Sequence, residues 1–279
     1  MIYGGLGDNI LSGGAGDDQI IGRNTSGSVL TRPVDTIFGG PGDDNIDTRF
    51  GIVDLLRGGT GDDTIQVLQG TVFGGAGNDD IEFERSSTIY GDSGDDVIEN
   101  ISFAFDHENL IFGGGGNDII RAGRGVDTVF GGPGDDVING GRLNDIIYGE
   151  AGNDVITGGN EDDEIHGGPG NDTLSGFLGN DTISGGTGVD TISGEEGDDI
   201  IFGDGGNDII FGNDGRDELH GGTGNDAIAG GNDDDELFGD GGQDTLAGGA
   251  GNDSLDGGIS TDTALDFGEL LHINIEINI

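Results

Sequence analysis

From Gly113 to Leu265 the chain repeats every nine residues, in 17 blocks with no residue left over. The sixth position of every block is Asp. The first is Gly in 16 blocks, with Ala122 the exception, and the eighth is Ile, Leu or Val in 16, with Ala264 the exception. One block buries almost nothing alone. An unbroken short period therefore points to a stacked repeat, whose neighbours share one continuous core.

Positions 7 to 9 are long enough only for a short strand. Position 7 is Ile, Val or Thr in 12 of the 17 blocks, which suits a pleated backbone. Strand side chains alternate faces, so the aliphatic position 8 points inward and positions 7 and 9 outward. The outward aromatics Phe130, Tyr148, Phe202, Phe211 and Phe238 mark either ordinary sheet-surface packing, the reading preferred, or a contact face.

Positions 1 to 6 form the turn. Gly at 1, 2 and 4 permits positive φ and close backbone approach, so carbonyl oxygens and the Asp carboxylate can converge. Turn propensity alone does not explain the Asp column, because Asn serves a turn equally well. The column is Asp118, Asp127, Asp136, Asp145, Asp154, Asp163, Asp172, Asp181, Asp190, Asp199, Asp208, Asp217, Asp226, Asp235, Asp244, Asp253 and Asp262. Seventeen carboxylates in register, with no Asn or Ser among them, indicate a cation. Several oxygen donors in a flexible cage suit calcium, whereas magnesium demands a strict octahedron and keeps its waters. With no Cys and four His in the chain, zinc and copper sites are not indicated.

The blocks resemble the RTX (hemolysin-type) calcium-binding nonapeptide, Gly-Gly-x-Gly-x-Asp-x-U-x with U aliphatic. The resemblance implies an all-β fold, a right-handed parallel β-roll. Two nonapeptides would make each coil, with calcium ions between stacked turns. It implies ligation by the position-6 Asp and by carbonyls of the turn glycines. The interrupted blocks nearer the N-terminus add Asp18, Asp44, Asp63, Asp79 and Asp96 to the expected metal ligands.

Three stretches are expected. Residues 1–112 form an interrupted roll with one regular calcium edge and variable loops on the other. Residues 113–265 form the regular roll. Residues 266–279 form a capping strand or the remnant of a secretion signal. In the first stretch, spacers 48–57, 67–73, 83–90 and 100–112 separate the regular blocks. Counting back by alternation puts those blocks on one edge and the spacers on the other. That gives 14 turns on one edge and 8 on the other, hence 13 and 7 gaps and up to about 20 calcium ions. Leu143, Glu161, Asp233 and Ser260 replace the position-4 Gly, so those four turns are the least certain to be fully coordinated.

The charge total is consistent with this. The chain has 56 acidic residues, nine Lys plus Arg and a formal charge of −47, which about 20 divalent cations would nearly cancel. Such a charge excludes nucleic acid and anionic membrane as partners. No apolar run is long enough to span a bilayer. No metalloprotease, nucleophile-elbow or phosphate-loop motif is present, and no catalytic residue is assigned. His166 and His220 sit at the outward position 9.

The expected protein is secreted or at the cell surface and folds on binding calcium where calcium is abundant. A type I secretion system is the partner the resemblance implies. The alternatives are a structural or adhesive rod and the non-catalytic part of a larger secreted enzyme or toxin.

Overall fold

The computed structural model describes residues 1–3, 9–21, 35–102, 106–265 and 272–274. The start of the Gly4–Ser12 block, most of the 22–38 segment and most of the alternating Ile273–Ile279 tail lie outside the described residues. Among the described residues every regular element is a β-strand and the pairings are parallel. The chain divides into two units, Met1–Ile138 and Asn139–Ile279.

The register of the second unit reveals its architecture. On one sheet Leu174 pairs with Ile192 and Ile192 with Ile210. On the other Ile165 pairs with Ile183 and Ile183 with Ile201. Every partner lies 18 residues on, so each coil is two nonapeptides and successive blocks go to opposite sheets. This is a parallel β-roll. The position-8 residues of both sheets meet inside it, and Ile165, Leu174, Ile183, Ile192 and Ile201 are at most 1% exposed. Burying each such side chain contributes about 1.5–3 kcal/mol, repeated at every coil.

The strands are longer than the three residues expected. Thr173–Leu178 and Thr182–Thr187 are typical, six residues each, running from position 7 through position 3 of the next block. The turn backbone stays in register with the neighbouring coil, as in Gly159↔Phe177, so half of the Gly-rich segment is pleated.

The first unit keeps this pairing with a variable offset. Val72 pairs with Ile89 and Ile89 with Ile111 on one sheet, Ile65 with Ile81 and Ile81 with Ile98 on the other. Offsets of 16 to 26 residues are absorbed in the loops, because a slip would turn the apolar residues outward. On its outer face Phe73, Tyr90, Phe112 and Phe130 stack ring on ring at 4.6–4.9 Å, with Arg57 4.3 Å over Phe73. Part of the tail is described: His272–Asn274 pairs in parallel with Ser254–Asp256.

Candidate metal centre

The position-6 Asp residues form buried rows along the roll edges. In the first unit one edge carries Asp18, Asp44, Asp63, Asp79, Asp96, Asp118 and Asp136, joined rung to rung. The amide of each donates to Oδ1 of the next at 2.7–2.8 Å. Blocks separated by spacers in sequence are thus consecutive in space. Asp127 lies on the opposite edge. In the second unit one edge carries Asp154, Asp172, Asp190, Asp208, Asp226, Asp244 and Asp262. The other carries Asp145, Asp163, Asp181, Asp199, Asp217, Asp235 and Asp253.

One oxygen of each internal rung is therefore satisfied. The other is not. Oδ2 of Asp44, Asp63, Asp79, Asp96 and Asp118 is buried without a hydrogen-bond partner. The same holds for Asp163, Asp172, Asp181, Asp190, Asp199, Asp208, Asp217, Asp226, Asp235 and Asp244. A buried, unpartnered charged oxygen costs several kcal/mol unless a cation meets it. Burial accordingly drives these carboxyls up: Asp79, Asp96, Asp163, Asp172, Asp199 and Asp235 to about 7. Asp63, Asp181, Asp208, Asp217 and Asp244 reach about 6. Desolvation is the largest cause and neighbouring carboxylates add to it. The hydrogen bond from the preceding rung's amide partly opposes both.

The turn glycines divide by role. At position 2, and at most position-4 sites, they hold positive φ, for example Gly59 at 135° and Gly61 at 120°. At position 1 the requirement is space. A Cβ on Gly194 would overlap Oδ2 of Asp199, so Gly194 makes room for the carboxylate of its own block. Leu143, Glu161 and Asp233, which replace the position-4 Gly, adopt the same left-handed backbone at φ 69°, 72° and 75°. Glu161 Oε also accepts from the Leu143 amide at 2.9 Å.

A neutral version of the row serves as an internal control. On the Asp127 edge of the first unit the neutral rungs are Gly70, Ser87 and Asn109, and Asp127 ends the run. Gly70 N–H donates to Ser87 Oγ at 3.2 Å, Ser87 N–H to Asn109 Oδ1 at 3.1 Å and Asn109 N–H to Asp127 Oδ1 at 2.8 Å. The remaining polar atoms of the neutral rungs are satisfied too. Ser87 Oγ donates to the Arg85 carbonyl at 2.7 Å, and Asn109 Nδ2 to the His107 carbonyl and Asp127 Oδ1. Asn and Ser can therefore make the rung. Asp in the other rows meets a further demand, which a hydrogen-bond ladder does not impose.

A second row escaped the sequence reading. At many turns the position-5 amide donates to the position-5 side chain of the turn before, as in Asp62 to Asp43, Asn78 to Asp62, Asp95 to Asn78 and Asn117 to Asp95. These bonds are exposed and run opposite to the buried row. The one trace of this second row in the sequence is that position 5 is Asn or Asp in 12 of the 17 blocks. Either residue suffices there, since the spare atom faces water.

Among the described residues no three acidic or imidazole side chains gather at one point. A cation on these edges would take a carboxylate or two, with backbone carbonyls as the other donors. That all-oxygen, hard donor set fits calcium. A family model described as the RTX calcium-binding nonapeptide repeat matches residues 1–25, 34–52 and 53–70, and overlapping stretches from 104 to 264. The chain belongs to this RTX family. Calcium binding is the family's property, and the roll is its repeat architecture. A search of the curated proteins gives no match.

Proposed function

We propose that this RTX chain is a secreted calcium-loaded roll, which binds ions along both edges and folds as they bind. Its ligands are the position-6 carboxylates, Asp18 through Asp262, together with carbonyls of the turn backbone. The observation that supports this best is the contrast between rungs. The carboxylate rungs bury an oxygen without a partner, whereas the Ser87 and Asn109 rungs are fully hydrogen-bonded. Up to about 20 ions would nearly neutralise the formal charge of −47. Without them the edges bring like charges to strand spacing, so binding energy is folding energy. Weak sites of ~10⁻⁴–10⁻³ M fill only where calcium is abundant, which favours folding outside the cell. Export by a type I system fits the family.

Calcium titration followed by circular dichroism, with bound ions counted by native mass spectrometry, tests this reading. The expected result is a cooperative gain of β-signal with many ions taken up. A chain already folded in chelator, or one that takes up only a few ions, contradicts it. A surface or adhesive role is a second reading, which the outward ring column Phe73–Tyr90–Phe112–Phe130 favours.

A further inference from the structure

Four adjacent coils of the first unit, centred on Gly70, Ser87, Asn109 and Asp127, enclose an open trough of about 880 Å³. One wall is a row of strand residues in register: Thr71 beside Thr88, Thr88 beside Leu110, Leu110 beside Thr128. The other includes Gln69 and Glu108. Among all the lining residues Glu108 alone is charged. The same block positions in the second unit form a trough of about 310 Å³. Five carboxylates and Arg216 line that one. In a chain with 56 acidic residues, a charge-poor surface across four coils is a distinct chemical environment.

We propose that this trough binds an extended neutral glycan lying along the stacked coils. The hydroxyls of Thr71, Ser86, Thr88 and Thr128 and the Gln69 amide both donate and accept, as sugar hydroxyls do. They recur at the ~4.8 Å strand spacing, so four coils offer a polar track of about 14 Å. Leu110 and Val126 supply apolar spots for sugar C–H faces. Glu108, the one charge in the trough, disfavours anionic ligands, and cationic ones are drawn to the more acidic surface elsewhere. An extended peptide would need an unpaired sheet edge to add to, and the strands of this wall are paired on both sides at Thr88 and Leu110. The volume lies in the range of about 300–1,000 Å³ usual for ligand sites.

The test is titration of the calcium-loaded full chain with cellohexaose, mannohexaose and xylohexaose, followed by NMR of threonine methyl and side-chain amide signals. Saturable shifts are expected with at least one of the three, confined to residues such as Thr71, Thr88, Asn109 and Thr128. Thr88→Trp fills the trough and should weaken binding at least tenfold. Ile200→Trp, in the acidic trough, should change it less than twofold. Where Thr88→Trp does not fold, Thr128→Trp makes the same test from a neighbouring coil. No saturable binding of any of the three by a chain with folded circular dichroism overturns the proposal, as does equal weakening by Thr88→Trp and Ile200→Trp. The calcium midpoint, read in the same samples, keeps failure of the glycan site distinct from failure of the calcium reading.

Discussion

The Asp127 edge of the first unit and the Asp145–Asp253 edge of the second solve one problem in two ways. In the second unit, position 1 is Gly158, Gly176, Gly194 or Gly212, and the space beside each holds the carboxylate of its own block. In the first unit the corresponding column over the neutral rungs is Val67, Phe83 and Asn100, in register and buried. The side chain at position 1 occupies the space, and the rung at position 6 is neutral. Ala122, beside Asp127, marks the changeover with one methyl group. One edge is thus held by packing and closed hydrogen bonds. The other is left with buried oxygens that call for a cation.

The sharpest way to break this comparison is to remove calcium. In chelator the second unit should lose its strand signal. The amides of Ser87 and Asn109 should stay protected from hydrogen exchange at least tenfold longer than those of Asp181 and Asp199. Equal protection would mean that the two edges do not differ in kind.

Next in size is Phe83→Ala, which empties a fully buried site on the spacer edge. It should cost about 3–5 kcal/mol in a denaturant melt of the loaded protein without changing the number of ions bound. A lost ion would show that Phe83 supports a calcium turn.

The pH dependence of the metal-free chain follows from the raised carboxyls. Their folded values of about 6–7 lie above an unfolded value near 3.9. Protonation therefore favours the metal-free fold. That contribution is complete below about pH 4 and is lost as pH rises through 6 to 7. In chelator, circular dichroism should show more strand at pH ~4.5 than at pH ~7.5. The opposite order would remove desolvation as the dominant cause.

Exchanging rung chemistry gives a smaller effect. Asp199→Asn keeps the Oδ1 acceptor and should remove one or two ions, raising the calcium midpoint about twofold while the loaded fold persists. Asn109→Asp puts a charge where the rung is already satisfied, and should destabilise the loaded protein by about 1–3 kcal/mol. The smallest contrast is Asp172→Ala against Asp163→Ala. The second is expected to shift the midpoint less, because its turn carries Glu161 in place of Gly. Equal shifts would show that the left-handed Glu161 leaves the turn intact.

Much of this was readable from the residues. Ile and Leu at position 8 fixed which side faces inward, and the alternation of blocks gave the two-sheet roll. The Asp column carries the proposal of a cation, because Asn never replaces it in the regular array. Three features lay beyond that reading. Strand length was underestimated, since periodicity in side chains says nothing of a pleated Gly backbone. The position-5 ladder was hidden by its tolerance of both Asn and Asp. The neutral rungs Gly70, Ser87 and Asn109 all fall inside spacers. Only the register across coils, with offsets from 16 to 22 residues, lines them up with Asp127.

The buried row also has a direction. Each rung lends its amide toward the C-terminus and receives on its side chain from the N-terminal side. Any residue with a backbone N–H can begin such a row, as Gly70 does. Only a residue with a short acceptor side chain can extend it. The two ends of the row are therefore not equivalent as surfaces for growth. The N-terminal face asks little of the next sequence to stack on it. The C-terminal face is selective, and a coil grafted there must bring its own Asp, Asn or Ser in register.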